Sequence, residues 1–132
     1  MPRTTVVFFR SGVGRAPVLE WLSSLRRRDP RGFVKCLVRI RRLAEKGHEL
    51  RRPECDHLRD GIFELRMRRG NLQYRVLYGF HGDGLAVLLH GLRKERMVSS
   101  ADISRALARL REFAADPARH THHEEEIDNG TS

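Results

Sequence analysis

Residues 64–80 read ELRMRRGNLQYRVLYGF, an alternating segment, a turn and a second, more apolar segment. Across residues 62–69, Phe63, Leu65 and Met67 alternate with Glu64, Arg66 and Arg68, which predicts a strand with one core face and one charged face. Gly70-Asn71 supplies the tight turn. Residues 72–80 continue as a strand that is apolar on both alternating faces, with Arg75 as the exception. Taking a guanidinium out of water costs roughly several kcal/mol unless a partner offsets it. Arg75 therefore either pairs with a carboxylate, Glu64 being the cross-strand candidate, or is held for an anion that is not part of the chain.

Outward from this hairpin the chain divides readily. Residues 4–9, TTVVFF, predict a first strand, and SGVG at 11–14 a turn. Residues 16–28 predict a helix with Pro17 in its first turn, where a missing N–H costs little. Asp29-Pro30 breaks it, and Asp29 caps a second helix over 31–46. There Phe33, Val34, Leu37, Ile40, Leu43 and Ala44 form an apolar stripe, with Arg31, Lys35, Arg39 and Arg42 on another face. Gly47 ends the helix, and residues 48–61 read as a polar loop. After the hairpin, HGDG at 81–84 turns the chain into a third antiparallel strand, 85–92. A basic loop, 93–99, leads to a last helix capped by Ser99 or Ser100, with Ile103, Leu107, Leu110 and Phe113 inward. The order β-α-α-β-β-β-α predicts an α+β domain, a small antiparallel sheet with the helices on one face. The domain is expected over residues 1–115, and residues 116–132, nearly free of core-forming side chains, are expected to be a disordered tail.

The chain has 132 residues, enough for one domain with a modest core. Its net charge of +9 is unevenly spread. Residues 117–132 hold one arginine against Glu124, Glu125, Glu126 and Asp128, leaving 25 basic and 13 acidic residues, or +12, in the body. Of 26 basic residues only Lys35, Lys46 and Lys94 are lysine. An arginine bias suits bidentate contact with phosphate or carboxylate, although arginine-rich codon usage produces the same bias. The four-residue apolar run near the N-terminus is too short for a signal peptide's apolar core or a membrane span, so a cytoplasmic protein is expected. Cys36 and Cys55 form neither a disulfide framework nor a zinc spacing and read as reduced thiols. SGVGR lacks the lysine of a phosphate loop and reads as a turn. HTHHEEE in the tail has metal-ligand residue types without a scaffold. No metal or cofactor is expected.

The element order, together with LRDGIFELR, a YRVLY strand and an LLHGLRKER segment, resembles the RelE/ParE toxin superfamily, in particular its HigB-like, phage-derived branch. The resemblance spans residues 4–113 and rests on the ordered set of ELR strand, YR strand and HGLRKER segment. It implies the toxin of a type II toxin–antitoxin pair, a metal-free, ribosome-dependent messenger-RNA endonuclease that inhibits translation. It also implies a cognate antitoxin, expected to be a helix-turn-helix protein, with messenger RNA and the ribosome as the other partners. Within it the phosphate-contacting arginine falls on Arg75, the basic residue of the ELR strand on Arg66, and the basic segment on Arg93, Lys94 and Arg96. The chain departs from the RelE pattern twice: Glu64 stands where a lysine is usual, and Ser99 and Ser100 stand where a tyrosine follows the basic segment.

Metal-free RNA cleavage must deprotonate a 2′-hydroxyl, stabilise a phosphorane and protonate the leaving 5′-oxygen. Fixed positive charge at the phosphorane is usually the largest contribution. Arg75, Arg66 and Lys94 are the candidates for it, with Arg68, Arg69, Arg93, Arg96, Lys35, Arg39 and Arg42 as RNA-backbone contacts. His90, in LLHGL, is either a proton-transfer residue or a hydrogen-bonded core histidine. Glu64 is either a general base or a counter-ion for Arg66 or Arg75, and His57 is either at the site edge or a solvated loop residue. Tyr74 and Tyr78, on the face opposite Arg75, read as core. Two other readings stand beside the nuclease: a non-catalytic inhibitor on the same fold, such as a gyrase poison, and an RNA- or ribosome-binding module.

Overall fold

The computed structural model describes residues 4–93 and 97–122. The elements are β1 (Thr5–Phe9), α1 (Pro17–Arg28), α2 (Pro30–Lys46), β2 (Cys55–Arg59), β3 (Ile62–Arg69), β4 (Leu72–His81), β5 (Leu85–Arg93), α3 (Ser100–Ala115) and β6 (Thr121–His122), with a 3-10 turn at Gly47–Glu49. They form an α+β fold around one six-stranded sheet of order β2-β3-β4-β5-β1-β6. The sheet is antiparallel except where β1 runs parallel to β5, Thr5 opposite Leu85 and Phe8 opposite Leu88.

Local chemistry explains the helix starts. Asp29 ends α1 and begins α2, its side chain accepting from the Gly32 N–H at 3.2 Å, with Pro30 in the first turn. Ser99 caps α3 by accepting from the Asp102 N–H at 3.1 Å. On α2, Phe33, Leu37, Ile40 and Leu43 are buried against the sheet. Each such side chain contributes about 1.5–3 kcal/mol. Val34, expected in this stripe, lies outside it and is exposed.

Three expectations need correction. The helices do not share one face. Helices α1 and α2 pack with Val6, Phe8, Leu65, Met67, Tyr74, Val76, Tyr78 and Leu88. Helix α3 packs Ile103, Ala106 and Phe113 on the other face, with Val7, Phe9, Ile62, Leu77, Val87 and Leu89. A strand that is apolar on both faces needs cover on both, and α3 supplies the second layer. The expected loop at 48–61 contains β2, joined to β3 through Asp60-Gly61, both with positive φ (53° and 80°). Finally, the described part of the expected disordered tail is ordered as far as His122. β6 pairs with β1, Phe8 opposite His122 and Phe9 opposite Thr121, and the buried His120 stacks on Phe9 at 5.5 Å. An otherwise bare sheet edge gives this polar segment its partner.

Candidate functional site

The β2–β3 hairpin, β4 and the start of α3 enclose a cleft of about 280 Å³. It is lined by Asp56, His57 and Arg59 from β2, Glu64 and Arg66 from β3, Arg75 from β4, and Met97, Val98 and Ile103 beside them. Strand register explains the convergence. Arg66 stands opposite Arg75, and Glu64 opposite Leu77. Residues 64, 66, 75 and 77 therefore share the α3 face.

The partner of Arg75 is Glu64. Arg75 Nη1 donates to Glu64 Oε1 at 2.5 Å, and its Nη2 donates to Gln73 Oε1 at 3.2 Å. Only 1 % of Glu64 and 9 % of Arg75 is exposed. Arg66 is more open. Its Nη2 lies 3.1 Å from Asp56 Oδ2 and 3.5 Å from Glu64 Oε2, bridging the two carboxylates. The Nε atoms of both arginines are buried without a hydrogen-bond partner among the described residues. Asp56 also takes both arms of Arg52 at 3.0 Å. That hydrogen bond, with the nearby Arg66 charge, holds its carboxyl below the usual aspartate range against the opposing effect of burial. Arg59 reaches Asp60 at 2.8 Å and Ser104 Oγ at 3.1 Å, tying the hairpin to α3. His57, exposed on β2, stands opposite Phe63 with its ring edge-on to it at 4.9 Å, so its side chain lies on the α1–α2 face and not with Glu64, Arg66 and Arg75.

The remaining candidates lie elsewhere. His90 is not in the cleft wall. A bulge opposite Leu77 and Tyr78 makes Leu89 the extra residue of β5, and His90 faces α3. Its Nε2 lies 3.0 Å from Asp102 Oδ1, and Asp102 Oδ2 accepts from Ser99 Oγ at 2.7 Å. Burial pushes the His90 imidazole below its ordinary value, with Asp102 opposing. On the opposite face of the sheet, Arg39 and Arg42 clamp Glu54 at 3.5 and 2.9 Å, and Lys35 Nζ donates to the Arg68 carbonyl at 3.0 Å. Arg68 is exposed beside the Gly70 turn, its Nε donating to the Gly70 carbonyl. Arg69 binds Asp29 at 2.6 Å on the α1–α2 face, and Arg93, opposite Tyr74, shares that face. Lys94 and Arg96 lie outside the described residues. Sequence reading missed Asp56 and Arg59. The signal for them was Asp60-Gly61, a hairpin dipeptide that makes CDHLR a strand.

A two-faced α+β sheet with guanidiniums and carboxylates meeting under its third helix is the frame of a small basic domain. Residues 20–111 match the family model described as phage derived protein Gp49-like (DUF891), and the chain belongs to that family. The match runs from within α1 to within α3 and leaves out β1 and β6. No curated protein matches the chain. Among the described residues no helix is long and apolar enough to cross a membrane.

Proposed function

We propose that the chain is the toxin of a type II toxin–antitoxin pair and cleaves messenger RNA on the ribosome without a metal. The observation that carries this reading is the meeting of Arg66, Arg75 and Glu64 in one cleft of a chain of this family. Arg66, with 39 % of its side chain exposed, is the guanidinium an incoming phosphate reaches first. A phosphate oxygen replaces the carboxylates on Arg66, and the Arg66 N–H groups then face the phosphorane, where charge develops. Arg75 acts one step back. By neutralising Glu64 it keeps a buried carboxylate from repelling the phosphate. Both Glu64 carboxylate oxygens already face guanidiniums, Oε1 that of Arg75 and Oε2 that of Arg66. His90, turned toward Asp102, positions α3.

Expression in a bacterial host tests this directly. Growth should stop, with transcripts cleaved within coding regions and DNA supercoiling unchanged. Arg66→Ala should lower cleavage about 10²–10³-fold, the effect of removing one transition-state donor. Gyrase-linked DNA breaks with intact transcripts would point to the inhibitor reading instead. That every cleft arginine already has a carboxylate partner supports a further alternative, RNA or ribosome binding without cleavage. Arrest with both transcripts and DNA intact would favour it.

A further inference from the structure

The opposite face of the sheet holds a second basic pocket, and its charges are less fully paired. A cavity of about 270 Å³ is lined by Trp21, Leu25 and Arg28 of α1, Asp29, Arg69 and Leu72, Tyr74 of β4 and Arg93 of β5. Tyr74 stands opposite both Met67 and Arg93 in the sheet, one residue along from the Arg66–Arg75 pair. The two basic sites therefore lie back to back at the same end of the sheet.

The charge balance differs between them. In the first cleft each arginine has a carboxylate. In the second, Asp29 is already satisfied, accepting from the Tyr74 hydroxyl at 2.6 Å, Arg69 Nε at 2.6 Å and the Gly32 N–H at 3.2 Å. Arg69 uses only Nε in that contact, so its terminal amino groups remain available. Among the described residues the side chains of Arg28 and Arg93 make no hydrogen bond or ion pair. Three guanidiniums around one carboxylate leave an excess of two positive charges in a concave, partly apolar site. Their mutual repulsion is relieved by an anion that accepts several N–H bonds at once, which is what a phosphate does.

We propose that this pocket is a nucleotide-phosphate site, with Arg28, Arg69 and Arg93 holding the phosphate and the Trp21 face beside it taking the attached sugar or base. Asp29 fixes Arg69 from behind and so orients its free edge. The volume lies near the lower end of small-ligand pockets, about 300–1,000 Å³, and suits one nucleotide rather than a duplex. That the phosphate comes from an RNA strand rests on the ribonuclease reading. The phosphate site itself does not.

Trp21 is the only tryptophan, so its emission reports on this pocket alone. Adenosine 5′-monophosphate should change that emission saturably, inorganic phosphate should compete with it, and adenosine should do neither. Arg28→Ala and Arg93→Ala, both at exposed positions, should each weaken nucleotide binding about tenfold, and raised salt should weaken it further. Arg66→Ala should bind the nucleotide like the unaltered protein. No saturable response to nucleotide or phosphate would overturn the proposal. So would an equal response to adenosine, or binding unaffected by both arginine substitutions. Because Arg66→Ala separately reports on transcript cleavage, loss of the ribonuclease reading and loss of this site are distinguishable.

Discussion

Arg75 Nη1 and Glu64 Oε1 meet at 2.5 Å between neighbouring strands, the two side chains only 11 % and 2 % exposed. Removing either partner strands the other charge out of water, at a cost of roughly 3–5 kcal/mol. Arg75→Ala and Glu64→Ala should therefore both unfold at clearly lower urea. Replacing both together by Met and Leu should recover most of the loss, because a well-packed apolar pair needs no counter-charge. The other reading of Arg75, an arginine held for an outside anion, gives the opposite sign, because removing an unpartnered buried charge relieves the fold. An Arg75→Ala midpoint at or above that of the unaltered protein would restore that view.

His90 gives a pH dependence of definite sign. Its folded imidazole sits below its ordinary 6.5, chiefly through burial, so the unfolded chain binds the proton more readily. The stability tied to neutral His90 is complete above about pH 6.5 and is lost as pH falls through the lower folded value. Melting temperature should fall between pH 7 and pH 5, and His90→Gln should flatten that part of the curve. A parallel slope in the variant would show that other groups carry it.

Both tyrosines should ionise late. Burial, with the Asp29 hydrogen bond second, pushes Tyr74 up to about 12, and burial with Cys55 nearby pushes Tyr78 up as well. The folded protein should show almost no tyrosinate absorbance at pH 10, where the unfolded chain is about half ionised. Tyr74→Phe should shrink the alkaline part of the stability curve, leaving the share that Tyr78 carries. It should also release Asp29, whose carboxyl is held down first by the Tyr74 hydroxyl. That carboxyl supports the fold above its ordinary 3.8 and ceases to as pH falls through its lower folded value, so the variant should lose less stability on acidification. Unchanged acid unfolding in Tyr74→Phe would contradict the assignment.

Truncation after residue 116 should destabilise the domain. The His120 ring stacks on Phe9, its Nδ1–H donates to the Arg10 carbonyl at 2.7 Å, and the Arg10 N–H donates to the His120 carbonyl at 2.8 Å. Without this cover the β1 edge offers unpaired backbone groups to another chain. Thermal unfolding should come earlier, and sedimentation should show self-association at high concentration. A truncated protein that is monomeric and equally stable would mean that residues 117–122 add nothing to the edge.

Much of the architecture was written locally. Alternation along residues 62–80 defined β3 and β4, the 3.6-residue period of Phe33, Leu37, Ile40 and Leu43 defined α2, and Asp29 and Ser99 marked the helix starts. These signals depend on neighbours in the chain. The side on which α3 packs, the pairing of β6 with β1 and the bulge that turns His90 toward Asp102 depend on what lies across the sheet. No local pattern carries them. The site divides in the same way. Sequence named Arg66, Arg75 and Glu64, but only register decided that Arg75 meets Glu64, while parity along the strands sent Arg69 and Arg93 to the opposite face. Successive strand residues point to opposite faces, so one step in sequence separates two sites that the run of arginines had made look like one.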